Sequence, residues 1–256
     1  MTVELAYSSD GADDAPWLFL GSSLGTTRDM WEAQVEPLAR SNRVVRFDTR
    51  GHGASPAPQG PYAMSDLAGD VLALADRVGA ERFAYAGVSI GGALGLQLAC
   101  DAPERLTAVV LCCTGAKLGE PATWKERAER VRREGTTWLI DVNRERWFTP
   151  AVSGAAAQRA ERVLEGIADV DREGYAGCCE AIAGYDVRPR LGSIRVPTRV
   201  VAGAEDPATP AALTDELASE IPGADLVRIP EASHLGVVER PDEFTDAILE
   251  HLIRRR

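Results

Sequence analysis

Gly87-Val88-Ser89-Ile90-Gly91 reads G-x-S-x-G and stands between an apolar run and a small-residue segment. A strand entering a tight turn that opens a helix is the setting that makes this motif a nucleophile elbow. Glycine two places either side of the serine leaves room for the turn, which holds the serine in a strained conformation with its hydroxyl above the sheet. The first amides of the following helix favour an oxyanion in the same space. A serine hydroxyl is a weak nucleophile near neutral pH, so it needs a base within hydrogen-bond reach, and the base needs an orienting acid.

Three histidines compete for the role of base: His52, His234 and His251. His251 falls in the last helical stretch, beside a run of arginines, and is expected in solvent. His52 sits early in the chain in a Gly-His-Gly turn and is expected to serve loop structure. His234, in Glu231-Ala232-Ser233-His234, remains as the general base. The acid expected to orient it is Asp206, in Gly203-Ala204-Glu205-Asp206-Pro207; Glu205 is the competitor and is expected to be solvated. The chain order Ser, Asp, His is the one that follows such an elbow. An oxyanion hole requires two preorganised N–H donors. One is expected from the amide of Ile90 and the other from Leu24, with Ser23 as the alternative, in the loop Gly21-Ser22-Ser23-Leu24-Gly25.

These residues need a scaffold that presents strand ends on one edge. Strands are expected over residues 3–7, 17–20, 43–47, 83–88, 107–113, 198–202 and 225–229. Helical spacing covers residues 65–78, closed by Gly79, then 91–100 and 242–253. Strands that are apolar throughout, alternating with helices, indicate a mostly parallel sheet with helices on both faces. From about residue 118 to 190 the chain turns rich in Arg, Glu and Ala, with helices expected at 124–134, 137–147, 155–169 and 174–183. The expected organisation is an α/β core over residues 1–117, a helical cap over 118–190 and the rest of the core over 191–256.

The chain has 256 residues, a 45% apolar fraction and a net charge of −11. That length suits one domain, or one domain carrying a subdomain. The acidity disfavours nucleic acid and anionic membranes as partners, and an anionic substrate would need locally placed cations. The N-terminus lacks signal-peptide character and no run is long enough to span a membrane, so the cytoplasm is the expected compartment. The five cysteines lack C-x-x-C spacing, so no metal site is expected and they are read as small buried residues.

The chain also resembles a family. Ser23-Leu24-Gly25-Thr26, Met30-Trp31, Asp48-Thr49-Arg50-Gly51-His52-Gly53, the elbow, and Gly203 through Pro210 are shared widely among α/β-hydrolases. Three stretches of the insertion are more selective: Cys113-Thr114-Gly115-Ala116-Lys117-Leu118-Gly119, Glu145-Arg146-Trp147-Phe148-Thr149-Pro150, and Gly174-Tyr175-Ala176-Gly177-Cys178-Cys179. They resemble the cap of the 3-oxoadipate enol-lactonases. Ser22 departs from that pattern, where the family often has Asn. The resemblance implies the α/β-hydrolase fold, a small anionic lactone as substrate, an acyl-enzyme on Ser89, and no metal or organic cofactor. It also implies that Arg146 holds the substrate carboxylate with Trp147 as a pocket wall, in the catabolism of aromatic compounds. A general carboxylesterase, another lactonase, or a ligand-binding protein of the same fold stays open, because the cap rather than the fold selects substrate.

Overall fold

The computed structural model describes residues 1–254. Among these, β1 (Tyr7–Asp10), β2 (Trp17–Gly21), β3 (Arg43–Phe47), β4 (Phe83–Val88), β5 (Leu106–Cys112), β6 (Thr198–Gly203) and β7 (Asp225–Ile229) form one sheet. Its order is β1-β3-β2-β4-β5-β6-β7. Only β1 runs antiparallel to its neighbour; every other pairing is parallel. Parallel neighbours cannot be joined by hairpins and need crossovers. These are α1 (Glu32–Ala39), α2 (Met64–Val78), α3 (Ile90–Asp101) and α8 (Ala211–Glu220), while α10 (Pro241–Ile253) follows the last strand. Between β5 and β6 come α4 (Pro121–Glu134), α5 (Leu139–Trp147), α6 (Gly154–Glu165) and α7 (Arg172–Ala183), and the short α9 (Gly236–Glu239) precedes α10.

The central strands are hydrophobic because both their faces are covered. All six residues of β4 are buried, and α3, which packs on β4 and β5, is buried nearly all round. A mostly apolar helix with little amphipathicity is what burial on nearly every side requires. Gly79, at φ +79°, closes α2 and donates its N–H to the carbonyls of Ala75 and Asp76, as a left-handed C-cap does. Helix α4 is fixed to α7 by Arg132, whose guanidinium lies 2.8 Å from Glu173 and 2.6 Å from Glu180.

In the first fifty residues two elements differ from the sequence-based expectation. The edge strand is Tyr7–Asp10, not residues 3–7. The apolar alternation there does mark a buried face, since Leu5 is in the core. The backbone, however, bonds to side chains: Val3 N–H donates to Asp70 and Ala6 N–H to Ser55. Helix α1 carries an internal proline, Pro37, which hid it from a periodicity reading. Among the described residues no helix is long and apolar enough to cross a membrane.

Candidate active site

Strand β4 delivers Ser89 into the turn at φ +59°, ψ −118°. A positive φ is costly for a residue with a Cβ and persists only where surrounding structure imposes it. The imposition is visible. Ser89 N–H donates to the Cys112 carbonyl at 3.0 Å, and Thr114 Oγ1 donates to the Ser89 carbonyl at 2.8 Å. A Cβ on Gly87 would collide with the Gly91 carbonyl, and one on Gly91 with the Gly21 carbonyl, so the strand-to-helix turn admits only glycine at both places. The Ser89 side chain opens onto a cavity of about 240 Å³ above the carboxyl edge of the sheet.

His234 lies on the loop after β7 and lines the same cavity. Its Nδ1 is 2.9 Å from Asp206 Oδ2, and both residues are buried, at 4% and 7% exposure. Because an ionised carboxylate only accepts, the proton of this bond sits on Nδ1, and in the neutral ring Nε2 is then the nitrogen able to act as a base. Among the described residues no hydrogen bond joins Nε2 to Ser89 Oγ. Nucleophile–base contacts are often long without substrate and tighten on binding.

Asp206 sits in the loop leaving β6. Its Oδ1 accepts the amides of Ala208 (2.7 Å) and Thr209 (3.0 Å), and the Thr209 hydroxyl donates to Oδ2. Burial pushes its pKa up, but the His234 imidazole and the bonds from His234 and Thr209 outweigh this and hold it below the usual carboxylate value. Glu205 is exposed, as expected.

Two amides of the loop after β2 are already bonded. Ser23 N–H donates to Met30 Sδ at 3.3 Å and Gly25 N–H to His52 Nε2 at 2.9 Å. Neither Leu24 N–H nor Ile90 N–H donates to another group among the described residues. Ser23, the alternative donor, is thereby committed elsewhere. Ser22 is buried with its hydroxyl unpartnered. His52 serves the loop: its Nδ1 lies 3.2 Å from the Arg50 carbonyl, and burial pushes its pKa down, which keeps the ring neutral. His251 is not in solvent, contrary to expectation. It is 1% exposed, with Nε2 3.2 Å from the Pro197 carbonyl, because α10 turns that face toward the sheet.

Arg146 and Trp147, at the end of α5, also line the cavity. Arg127 and Asn143 line it as well, and the sequence reading did not name them. Arg127 lies in a stretch of α4 with many charges, where nothing in the sequence distinguishes it from solvated neighbours. A further residue escaped notice. Glu239 is buried, and its carboxylate accepts Thr149 N–H at 2.9 Å, the Thr149 hydroxyl, and Ser233 N–H at 2.9 Å. Leu235 N–H donates to the Trp147 carbonyl at 3.0 Å, so the His234 loop is bonded on both flanks to the end of α5. Four cysteines are buried and Cys100 is half-buried. Among the described residues no group of three or more His, Cys, Asp or Glu is placed to hold a metal ion.

A doubly covered parallel sheet, with a serine elbow facing a buried histidine–aspartate pair, defines an α/β-hydrolase. Residues 18–247 match the model of the alpha/beta hydrolase family, and the chain belongs to that family and is a hydrolase. It is 40% identical over 246 residues to 3-oxoadipate enol-lactonase 2 of Acinetobacter baylyi, covering 96% of this chain and 92% of that protein. The solved enol-lactonase from Burkholderia xenovorans LB400 superposes with a TM-score of 0.94 at 41% identity, covering 98% of this chain and 97% of that one. A thermophilic esterase from Thermogutta terrifontis, solved with malate bound, gives a TM-score of 0.93 at 29% identity over 99% of this chain and 94% of that one.

Proposed function

We propose that the protein hydrolyses 3-oxoadipate enol-lactone to 3-oxoadipate, with Ser89 as nucleophile, His234 as general base and Asp206 as the orienting acid. The observation that carries this reading is the buried His234–Asp206 hydrogen bond beside Ser89, in a cavity that also holds Arg146. His234 Nε2 takes the Ser89 proton as Oγ bonds to the lactone carbonyl carbon. The oxyanion that forms is met by the amides of Ile90 and Leu24. Collapse breaks the ring C–O bond, and the imidazolium gives its proton to the departing enol oxygen. That enol becomes a ketone, which makes ring opening favourable. Water, deprotonated by His234, then cleaves the acyl-enzyme and frees Ser89.

Arg146 pairs with the carboxylate arm of the lactone, and Trp147 forms a wall of the pocket. Residues 118–190 act as the cap that selects substrate over the common α/β core. Similarity to two enol-lactonases supports this choice of ester, and the breakdown of aromatic acids is the setting where such a lactone arises. The test is the opening of 3-oxoadipate enol-lactone by the wild type and by Ser89→Ala. Fast opening, lost in the variant, supports the reading. Poor turnover of the lactone beside good turnover of simple esters points instead to a general carboxylesterase.

A further inference from the structure

Two guanidiniums line the cavity above Ser89. Arg127 reaches it from α4 and Arg146 from α5, and among the described residues neither forms an ion pair. Carboxylates are not scarce in a chain of net charge −11. Three other buried or half-buried arginines are paired, Arg50 with Asp70, Arg132 with Glu173 and Glu180, and Arg199 with Asp225, whereas half-buried Arg159 on α6 has no ion pair among the described residues. The carboxylate that lines the cavity, Glu120, is engaged by Lys117 at 3.2 Å. Burial and the charge of Arg127 lower the Arg146 pKa, against the smaller opposing effects of Asp206 and Tyr175, while Arg127 itself lies over the Trp124 ring, 4.9 Å from its centroid. Asn143 adds a third donor. It is 3% exposed, lines the cavity, and its Nδ2 has no hydrogen-bond partner. A buried amide without a partner is costly and calls for an acceptor that arrives with a ligand.

We infer that Arg127 and Asn143 complete, with Arg146, a single carboxylate-binding subsite that spans α4 and α5. This rests on the hydrolase reading above and deepens it. The substrates are esters and lactones whose acyl-enzyme ends in a carboxylate, and the anion is shared between two guanidiniums and one amide. A carboxylate has two oxygens with about four lone-pair sites, enough for all three donors, and charge-assisted bonds of this kind are strong. An anion held between the two helices also offsets the like charge of Arg127 and Arg146. Ligand binding therefore stabilises the α4–α5 arrangement.

The test compares mono-p-nitrophenyl adipate with p-nitrophenyl hexanoate, acyl chains of equal length that differ in the terminal carboxylate. The wild type is expected to prefer the adipate ester in kcat/KM. Arg127→Gln lowers the adipate-to-hexanoate ratio by about tenfold or more, the scale of one charge-assisted bond. Asn143→Ala lowers it by less. Arg127→Gln and Arg146→Gln together lower it by less than the product of their separate effects, because both act on one anion. An unchanged ratio in a folded Arg127→Gln protein overturns the inference, and so does strict additivity of the two arginine variants. Failure of the hydrolase reading has a different signature. Neither ester is then turned over, yet adipate still raises the wild-type melting temperature and not that of Arg127→Gln, which keeps the subsite. Adipate that stabilises both proteins equally removes it.

Discussion

Replacing Asp206 by Asn tests how the acid acts, because the surrounding bonds dictate which way the amide must turn. Oδ1 accepts two backbone amides, from Ala208 and Thr209, and those donors cannot move without unmaking the loop. An asparagine must therefore keep its carbonyl oxygen there and place its NH₂ where Oδ2 now meets His234 Nδ1. Two donors would then face each other. The imidazole escapes by moving its proton from Nδ1 to Nε2, and it then accepts the asparagine N–H. The cost falls on chemistry, because a protonated Nε2 cannot take the Ser89 proton. In a Ser-His-Asp arrangement this tautomer change is worth about 10⁴-fold in kcat. At about 1.4 kcal/mol per tenfold, that is roughly 5–6 kcal/mol of transition-state stabilisation. The fold should survive, since the two amides keep their acceptor. The assay is kcat for an activated ester or the lactone, with the melting temperature measured in parallel. A folded Asp206→Asn protein that loses less than tenfold in kcat would refute the assignment of Asp206 and the argument from its hydrogen bonds.

Other outcomes follow from the same geometry. Ser89→Gly removes a residue from a φ of +59° that glycine adopts freely, so it should abolish activity while stabilising the protein by about 1 kcal/mol in denaturant unfolding. Glu239→Gln puts an amide NH₂ against either Ser233 N–H or the Thr149 donors, and should cost about 1–3 kcal/mol of stability and lower kcat through the displaced His234 loop. His52 is held neutral in the fold against an ordinary pKa of 6.5, so the unfolded chain binds the extra proton first. Stability is therefore complete above about pH 6.5 and falls as pH drops through the lowered folded-state value, despite the nearby carboxylates of Asp48 and Asp171. His52→Gln should flatten that part of the stability–pH curve; an unchanged acid limb contradicts the assignment.

Much of the fold was legible because its signals are local. Strands β4 and β7 fall where the apolar runs stand, and Gly79 ends α2 as its position suggests. The elbow is readable because glycine at 87 and 91 answers a steric demand five residues wide. His234 and Asp206 were reachable through their order in the chain and their place after strands. What escaped are features that exist only in three dimensions. Arg127 is one arginine among several on α4, and only the packing of α4 on α7 brings it to the wall of the cavity that Ser89 lines. Glu239 reads as a surface charge beside Arg240, yet its partners Thr149 and Ser233 are supplied from the end of α5 and the His234 loop. His251 reads as solvated beside arginines, yet α10 carries it against Pro197. The extended stretch before Tyr7 alternates like a strand, but strand identity depends on a ladder partner, and there side chains supply the bonds.

The central claim is that one serine performs the lactone chemistry, and titrating that serine tests it most directly. A fluorophosphonate is added in substoichiometric steps, the fraction of protein labelled at Ser89 is read by mass spectrometry, and the residual rate of 3-oxoadipate enol-lactone opening is measured at each step. The rate should fall in proportion to the unlabelled fraction and reach zero at one label per chain. Undiminished lactone opening by fully labelled protein, or an active enzyme that takes up no label, would contradict it.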